Sequence, residues 1–120
     1  MERRVDLSSL DLDRAAVIVA GRRVGWRELR LVADELTWMD NDVSWAAPLL
    51  RDRGQARRPM SLGVRVHGDA GEAEFVLYVG GWVDVAVIRP SIDEPAAKYV
   101  ELDDVEEFGL VIDRVIELLI

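Results

Sequence analysis

Polar and apolar residues alternate over Ser61, Leu62, Gly63, Val64, Arg65, Val66 and His67, which predicts a strand with one wet face. Gly68, Asp69, Ala70 and Gly71 then predict a turn. Phe75, Val76, Leu77, Tyr78 and Val79 are apolar at every position, so both faces of the next strand are expected to be covered. Gly80-Gly81 can take φ > 0 at both positions, which predicts a two-residue hairpin turn closed by Val79 and Trp82. On the returning strand Trp82, Asp84, Ala86 and Ile88 share one face, and Val83, Val85 and Val87 share the other. A loop holding Pro90 and Pro95 precedes a last strand over residues 98–102. The centre of the fold is thus an antiparallel β-meander over about residues 60–102.

Either side of the meander the period changes. Residues 1–13 carry scattered leucines among acids and serines, and are expected to pack in part and fray at the start. The apolar run from Ala15 to Ala20, ended by Gly21, reads as a strand; residues 21–25 read as a tight turn with a brief return. Trp26, Leu29, Val32, Ala33 and Leu36 follow helical spacing and predict a helix over residues 26–38. Residues 40–59 have no sustained period and include an exposed arginine-rich loop. Asp103 or Asp104 caps a final helix whose apolar stripe is Val105, Phe108, Ile112, Val115, Ile116 and Leu119. Leu110, Val111, Leu118 and Ile120 widen that stripe beyond what one sheet face covers. The reading is α+β: one domain over residues 1–120, with an N-terminal strand-turn-helix unit, the meander, and a C-terminal helix packed on the sheet.

Composition narrows the functions open to such a chain. Its 120 residues contain no cysteine, which removes disulfides, thiolate nucleophiles and thiolate metal ligands. The net charge is −8, so no general positive field exists to bind nucleic acid. The charge is uneven: residues 91–120 set nine acids against Lys98 and Arg114, whereas residues 51–58 carry four arginines against Asp52. Met1-Glu2-Arg3-Arg4 leads into a polar segment rather than an apolar targeting run, and no apolar run approaches a membrane span. A cytoplasmic protein with no membrane association is the expectation.

Catalytic and cofactor chemistry finds little to stand on. His67 is the only histidine, so no histidine pair can hold a metal; a surface position or a lone base beside a carboxylate are its two readings. Lys98, the only lysine, sits among acids, a poor setting for a catalytic amine. Neither glycine-rich phosphate motif occurs. Asp40-Asn41-Asp42-Val43-Ser44 begins like a calcium loop, but Trp45 and Arg51 stand where glycine and glutamate are needed. No cofactor, metal ligand or catalytic residue is therefore assigned. Asp84 is the unusual acid, since it shares a strand face with Trp82: it is either ion-paired to Arg65 or Arg89 under a cover, or exposed on an open face.

Two clusters read as protein-recognition candidates. Trp38 and Trp45 bracket Asp40 and Asp42, and Arg51 and Arg53 follow; aromatic and arginine residues beside a loop are enriched at interfaces. The alternative is that both tryptophans plug the core under the loop. Trp82 and Asp84 form the second cluster. Residues 17–37 locally resemble the N-terminal hairpin and helix of adenylate-forming enzymes, but the nucleotide loop of that family is absent, so no function follows. The GGWVDVAVI segment at 80–88 and the helix-forming ELDDVEEF…VIDRVIELL at 101–119 resemble small bacterial immunity proteins of toxin–immunity systems. That resemblance implies a non-enzymatic module that occludes the active site of a basic toxin domain. The rival expectations are a small-ligand or enzymatic domain, with a pocket between sheet and helix and Asp84, Tyr78 or Arg89 at its mouth, and a structural homodimer formed through the C-terminal helix.

Overall fold

A computed structural model describes residues 10–40, 50–55, 59–89 and 96–120. The chain is α+β, with a helix, a six-stranded antiparallel sheet and a second helix in that order.

Helix α1 spans Leu12–Glu28, where a strand, a turn and the start of a helix were expected. The N-terminal strand-turn-helix unit is therefore replaced by one helix. Asp11 caps it, its carboxylate accepting from the Arg14 amide at 3.0 Å. Leu12, Ala15, Val19 and Trp26 form the buried stripe, spaced by three, four and seven. Gly21 and Gly25 lie on the solvent side with open space around them, so they lower helix propensity by about 1 kcal/mol each without removing a contact. The helix stops in a Schellman motif: the Leu31 amide donates to the Trp26 carbonyl and the Arg30 amide to the Arg27 carbonyl. Arg30 holds the left-handed position, φ 63°, that glycine usually fills, and buried Leu31 packs beside buried Trp26.

Beyond that stop the chain enters the sheet instead of continuing helical. Strands β1 (Val32–Ala33) and β2 (Thr37–Asp40) lie along one edge of β3 (Pro59–Gly68). The path then runs through β4 (Gly71–Tyr78) and β5 (Trp82–Ile88) to the edge strand β6 (Ala96–Glu101). This is the antiparallel meander that the alternation predicts. The β4–β5 loop is one residue longer than expected: Tyr78 faces Trp82, and Val79, Gly80 and Gly81 form the connection. Gly81 alone takes a positive φ, 101°, with its amide donating to the Tyr78 carbonyl at 3.0 Å. Gly80 has no room for a side chain because the Trp82 ring lies over it. Val79 is buried in the core, and its amide donates to the Met60 carbonyl of β3 at 3.1 Å.

Register sorts the strands into two faces. Leu62, Leu77 and Val83 are opposite one another, as are Val64, Phe75 and Val85, and Val66, Ala73 and Val87; all are buried. Helix α2 (Val105–Ile116) closes this side with Phe108, Ile112 and Ile116, and a short 3-10 turn adds Leu119. Asp104 caps α2, accepting from the Glu107 amide at 3.0 Å. Both helices therefore cover one face. They meet at Gly109, where a Cβ would collide with Arg22 and press on Ile18. Arg22 crosses this point to pair with Asp113 through two contacts of 2.7 and 3.1 Å, and Arg14 reaches Glu106 at 3.2 Å. Among the described residues no helix is long and apolar enough to cross a membrane.

Candidate functional site: the open face of the sheet

Among the described residues no helix lies on the opposite face. Reading across the strands, its rows are Ser61, Tyr78, Trp82 and Glu101; Thr37, Gly63, Val76, Asp84 and Tyr99; Arg65, Glu74, Ala86 and Ala97; and Val32, His67, Glu72 and Ile88. The β4 run was expected to be covered on both sides, but Val76 and Tyr78 are only half-buried, because the helices both pack on the other face.

Aromatic residues gather at one end. Tyr78 and Trp82 close the β4–β5 hairpin and stack, with ring centroids 5.0 Å apart and planes 20° from parallel. Burial, and after it the nearby Asp84 carboxylate, push the Tyr78 phenol above its ordinary value. Asp84 itself is exposed and, among the described residues, makes no hydrogen bond or ion pair. Neither Arg65 nor Arg89 reaches it, which settles the two readings of this residue in favour of an open face. Tyr99 stands across the ladder from Asp84, exposed, its hydroxyl donating to Glu101 at 3.2 Å.

Charged groups gather at the other end. Arg65 donates to Glu72 at 2.6 and 3.0 Å, and this hydrogen bond, more than any other influence, raises its guanidinium pKa further. His67 Nε2 lies 3.2 Å from Asp34 Oδ1, and Arg65 is 4.0 Å from the other oxygen of Asp34. His67 is thus half-exposed and also beside a carboxylate. The Arg65–Glu72 contact was within reach of the sequence, since a turn at residues 68–71 makes those two residues diagonal neighbours. The His67–Asp34 contact was not, because it depends on β1 pairing with β3 across 33 positions. Among the described residues no three histidine or carboxylate groups converge as a metal site requires.

Two shallow concavities share Glu74 as a ridge. The first, about 570 Å³, is floored by Gly63 and bordered by Asp34, Glu35, Thr37, Arg51 and Arg65. Gly63 leaves its floor low because the Thr37 hydroxyl occupies the space a Cβ would need. The second, about 520 Å³, lies over Val76 and Ala86 with Asp84, Ala97 and Tyr99 around it. The space between sheet and helices, by contrast, is filled by Phe75, Leu77, Phe108 and Ile112. A smaller groove does run between β6 and α2 at the sheet margin, but Asp84, Tyr78 and Arg89 are not among the residues lining it.

The expected recognition residues divide. Trp82, Asp84 and Arg51 are accessible on or beside the open face. Trp38 is 3 % exposed and faces the helices, with its amide and carbonyl bonded to Leu50 at 2.7 and 2.8 Å. Its ring is a core element and is not presented to solvent. Arg53 lies over that ring, 5.4 Å from its centroid, and pairs with Asp13 of α1 at 2.7 and 3.2 Å. Arg53 therefore ties the loop to the helix side. Asp40 pairs with Pro59 across a register shift at the end of β2. Asp42 and Trp45 lie outside the described residues.

In comparisons with known proteins, no family model, no curated protein and no solved structure matches this chain.

Proposed function

We propose that the chain is a non-enzymatic protein-binding module that receives a basic partner surface on the open face of its sheet. The particular role we favour is that of an immunity protein occluding the active site of a bacterial toxin. The observation that carries this reading is Asp84, exposed and unpaired among the described residues, beside the Tyr78–Trp82 stack and Tyr99. Aromatic anchors next to a desolvatable charge are what interface centres use. The charge around them supports a basic partner: Asp34, Glu35, Glu72, Glu74, Asp84 and Glu101 on or bordering this face, against Arg51 and Arg65. Arg65 is already engaged by Glu72. Five strands, each occupying about 4.8 Å, by about seven residues give the face roughly 24 Å by 24 Å, or about 600 Å². A standard interface needs about 800 Å² a side, so contacts would extend past the sheet onto its margins.

The test is affinity capture from extracts of the source cell, followed by measurement of the purified partner's affinity. Trp82→Ala combined with Asp84→Lys should weaken binding at least about 100-fold, the loss expected when central anchors are removed or reversed. Arg14→Ala on the helix side should leave affinity unchanged. Failure to recover a tight partner, or recovery of one that ignores the open-face substitutions, rejects the reading. Rescue of cells expressing the captured partner would establish the immunity role specifically.

A second reading, a small-ligand or enzymatic site, draws on the Gly63 concavity with its opposed charges and the adjoining His67–Asp34 contact. A third, self-association through α2, draws on exposed Leu110, Leu118 and Ile120. Light scattering at high concentration distinguishes the third, since a monomer there removes it.

A further inference from the structure

The sheet is wider than its helices. Helix α1 contacts β1 and β3, and α2 contacts β4. A helix is about 10 Å across and strands are about 4.8 Å apart, so each helix covers about two strands. Two helices cannot cover a path of five strands, and β6 at the margin is left over. The groove between β6 and α2 is the result, about 290 Å³ in volume. Val85 forms its floor, with half-buried Val100 on one wall and half-buried Val111 and Val115 on the other.

Tyr99 and Glu101 also line it, the Glu101 carboxylate accepting from the Tyr99 hydroxyl, and its rim carries Lys98 and Arg114. These are the two cations of residues 91–120, a segment with nine acids, and both come to this groove although one lies on a strand and the other on a helix. Among the described residues neither forms an ion pair. The alternation of β6 places the Tyr99 and Glu101 side chains on the other face, while Lys98 and Val100 share the side of Val85 and Val83. An apolar trough with a cationic rim, on a chain of net charge −8, is complementary to an apolar and acidic ligand.

We infer that this groove takes an extended segment of a partner protein in which apolar residues alternate with aspartate or glutamate. The apolar side chains rest on Val85, Val100, Val111 and Val115, and the flanking carboxylates meet Lys98 and Arg114. The groove is bounded on one side by a strand along its length, which suits an extended segment better than a helix. This surface has the opposite charge preference to the open face and lies on the other side of the sheet. Either can fail without the other.

The probe is a random peptide display library panned against the folded chain. Enriched peptides should alternate apolar and acidic residues. A synthetic copy of an enriched peptide should lose about tenfold or more in affinity against Lys98→Glu with Arg114→Glu, since two attractive contacts become repulsive. It should be indifferent to Asp84→Lys. Amide shifts on binding should fall on residues 98–101 and 111–115. Both substituted side chains are exposed, so circular dichroism should show the fold intact. The proposal is overturned by absence of enrichment, by enrichment of basic peptides, or by affinity unchanged in the reversed variant. It is equally overturned by shifts confined to the open face. A dimer that the double reversal dissociates would assign the groove to a second copy instead. No enrichment together with aggregation of Lys98→Val would leave Lys98 as edge protection alone.

Discussion

The two faces of the sheet are made by the same four long strands, one residue out of phase, and they differ in what covers them. On one face Leu62, Phe75, Leu77 and Val83 pack under both helices and reach zero exposure. On the other, Gly63, Val76, Asp84 and Tyr99 stand across one row with no helix above them among the described residues. The first face accounts for folding. The second holds apolar and aromatic area, Val76, Tyr78, Trp82, Ile88 and Tyr99, that the core does not use, mixed with uncompensated acid. A strand face that only needed to be wet would not require that much hydrophobic surface. This contrast is the reason we propose the binding surface on the side that contributes least to stability.

The sharpest way to break this contrast is to truncate neighbours on one strand. Phe75→Ala removes a fully buried ring and should cost about 3–5 kcal/mol in denaturant unfolding. Val76→Ala, one residue along and half-exposed, should cost about 1 kcal/mol or less. Comparable losses would mean that the second face is covered as firmly as the first.

How much of this was legible in the sequence depends on whether period and punctuation agreed. The meander was legible because Ser61 to His67 alternates and Gly68 and Gly71 punctuate it; α2 was legible because Asp104 caps a clear stripe. Trp82 and Asp84 could be placed on one face by parity alone. The N-terminal helix was hidden by its own exposed residues. Val17 and Val24 are apolar on the wet side, 57 % and 63 % exposed, and Gly21 and Gly25 look like breaks. Together they turn a stripe at 12, 15, 19 and 26 into an apparent strand and turn. The helical spacing of Trp26, Leu29 and Val32 was coincidental: Leu29 and Val32 are exposed, and Arg30 ends the helix between them without a glycine to announce it. Trp38 could not be assigned to the core from sequence, because only its pairing with Leu62 decides which way it faces.

A smaller effect tests why the open face is concave. Gly63→Ala places a methyl group where the Thr37 hydroxyl sits, so β2 must shift or Thr37 must change rotamer. The expected cost is about 1 kcal/mol, at the low end for overpacking because a hydroxyl can rotate. Thr37→Ala in the same protein should recover most of it. Gly63→Ala that stabilises on its own would show that the concavity is not held by this contact.

The smallest effect reports how far the aromatic corner is shielded from water. Ionising Tyr78 is harder on the folded protein than on the unfolded chain, first because the ring is partly buried and then because Asp84 is near. The phenol's contribution to stability is therefore complete below the unfolded value of about 10 and is lost as pH rises through the higher folded value. With Tyr99→Phe, Tyr78 becomes the only tyrosine, and ultraviolet absorbance follows its ionisation directly. The midpoint should lie above the ordinary one; Asp84→Asn should lower it only in part, since burial is the larger cause. Trp82→Ala, which uncovers the stacked ring, should lower it further. If Asp84→Asn instead has the greater effect, shielding by Trp82 is minor, and the corner would attract a partner through charge rather than through a dry aromatic anchor.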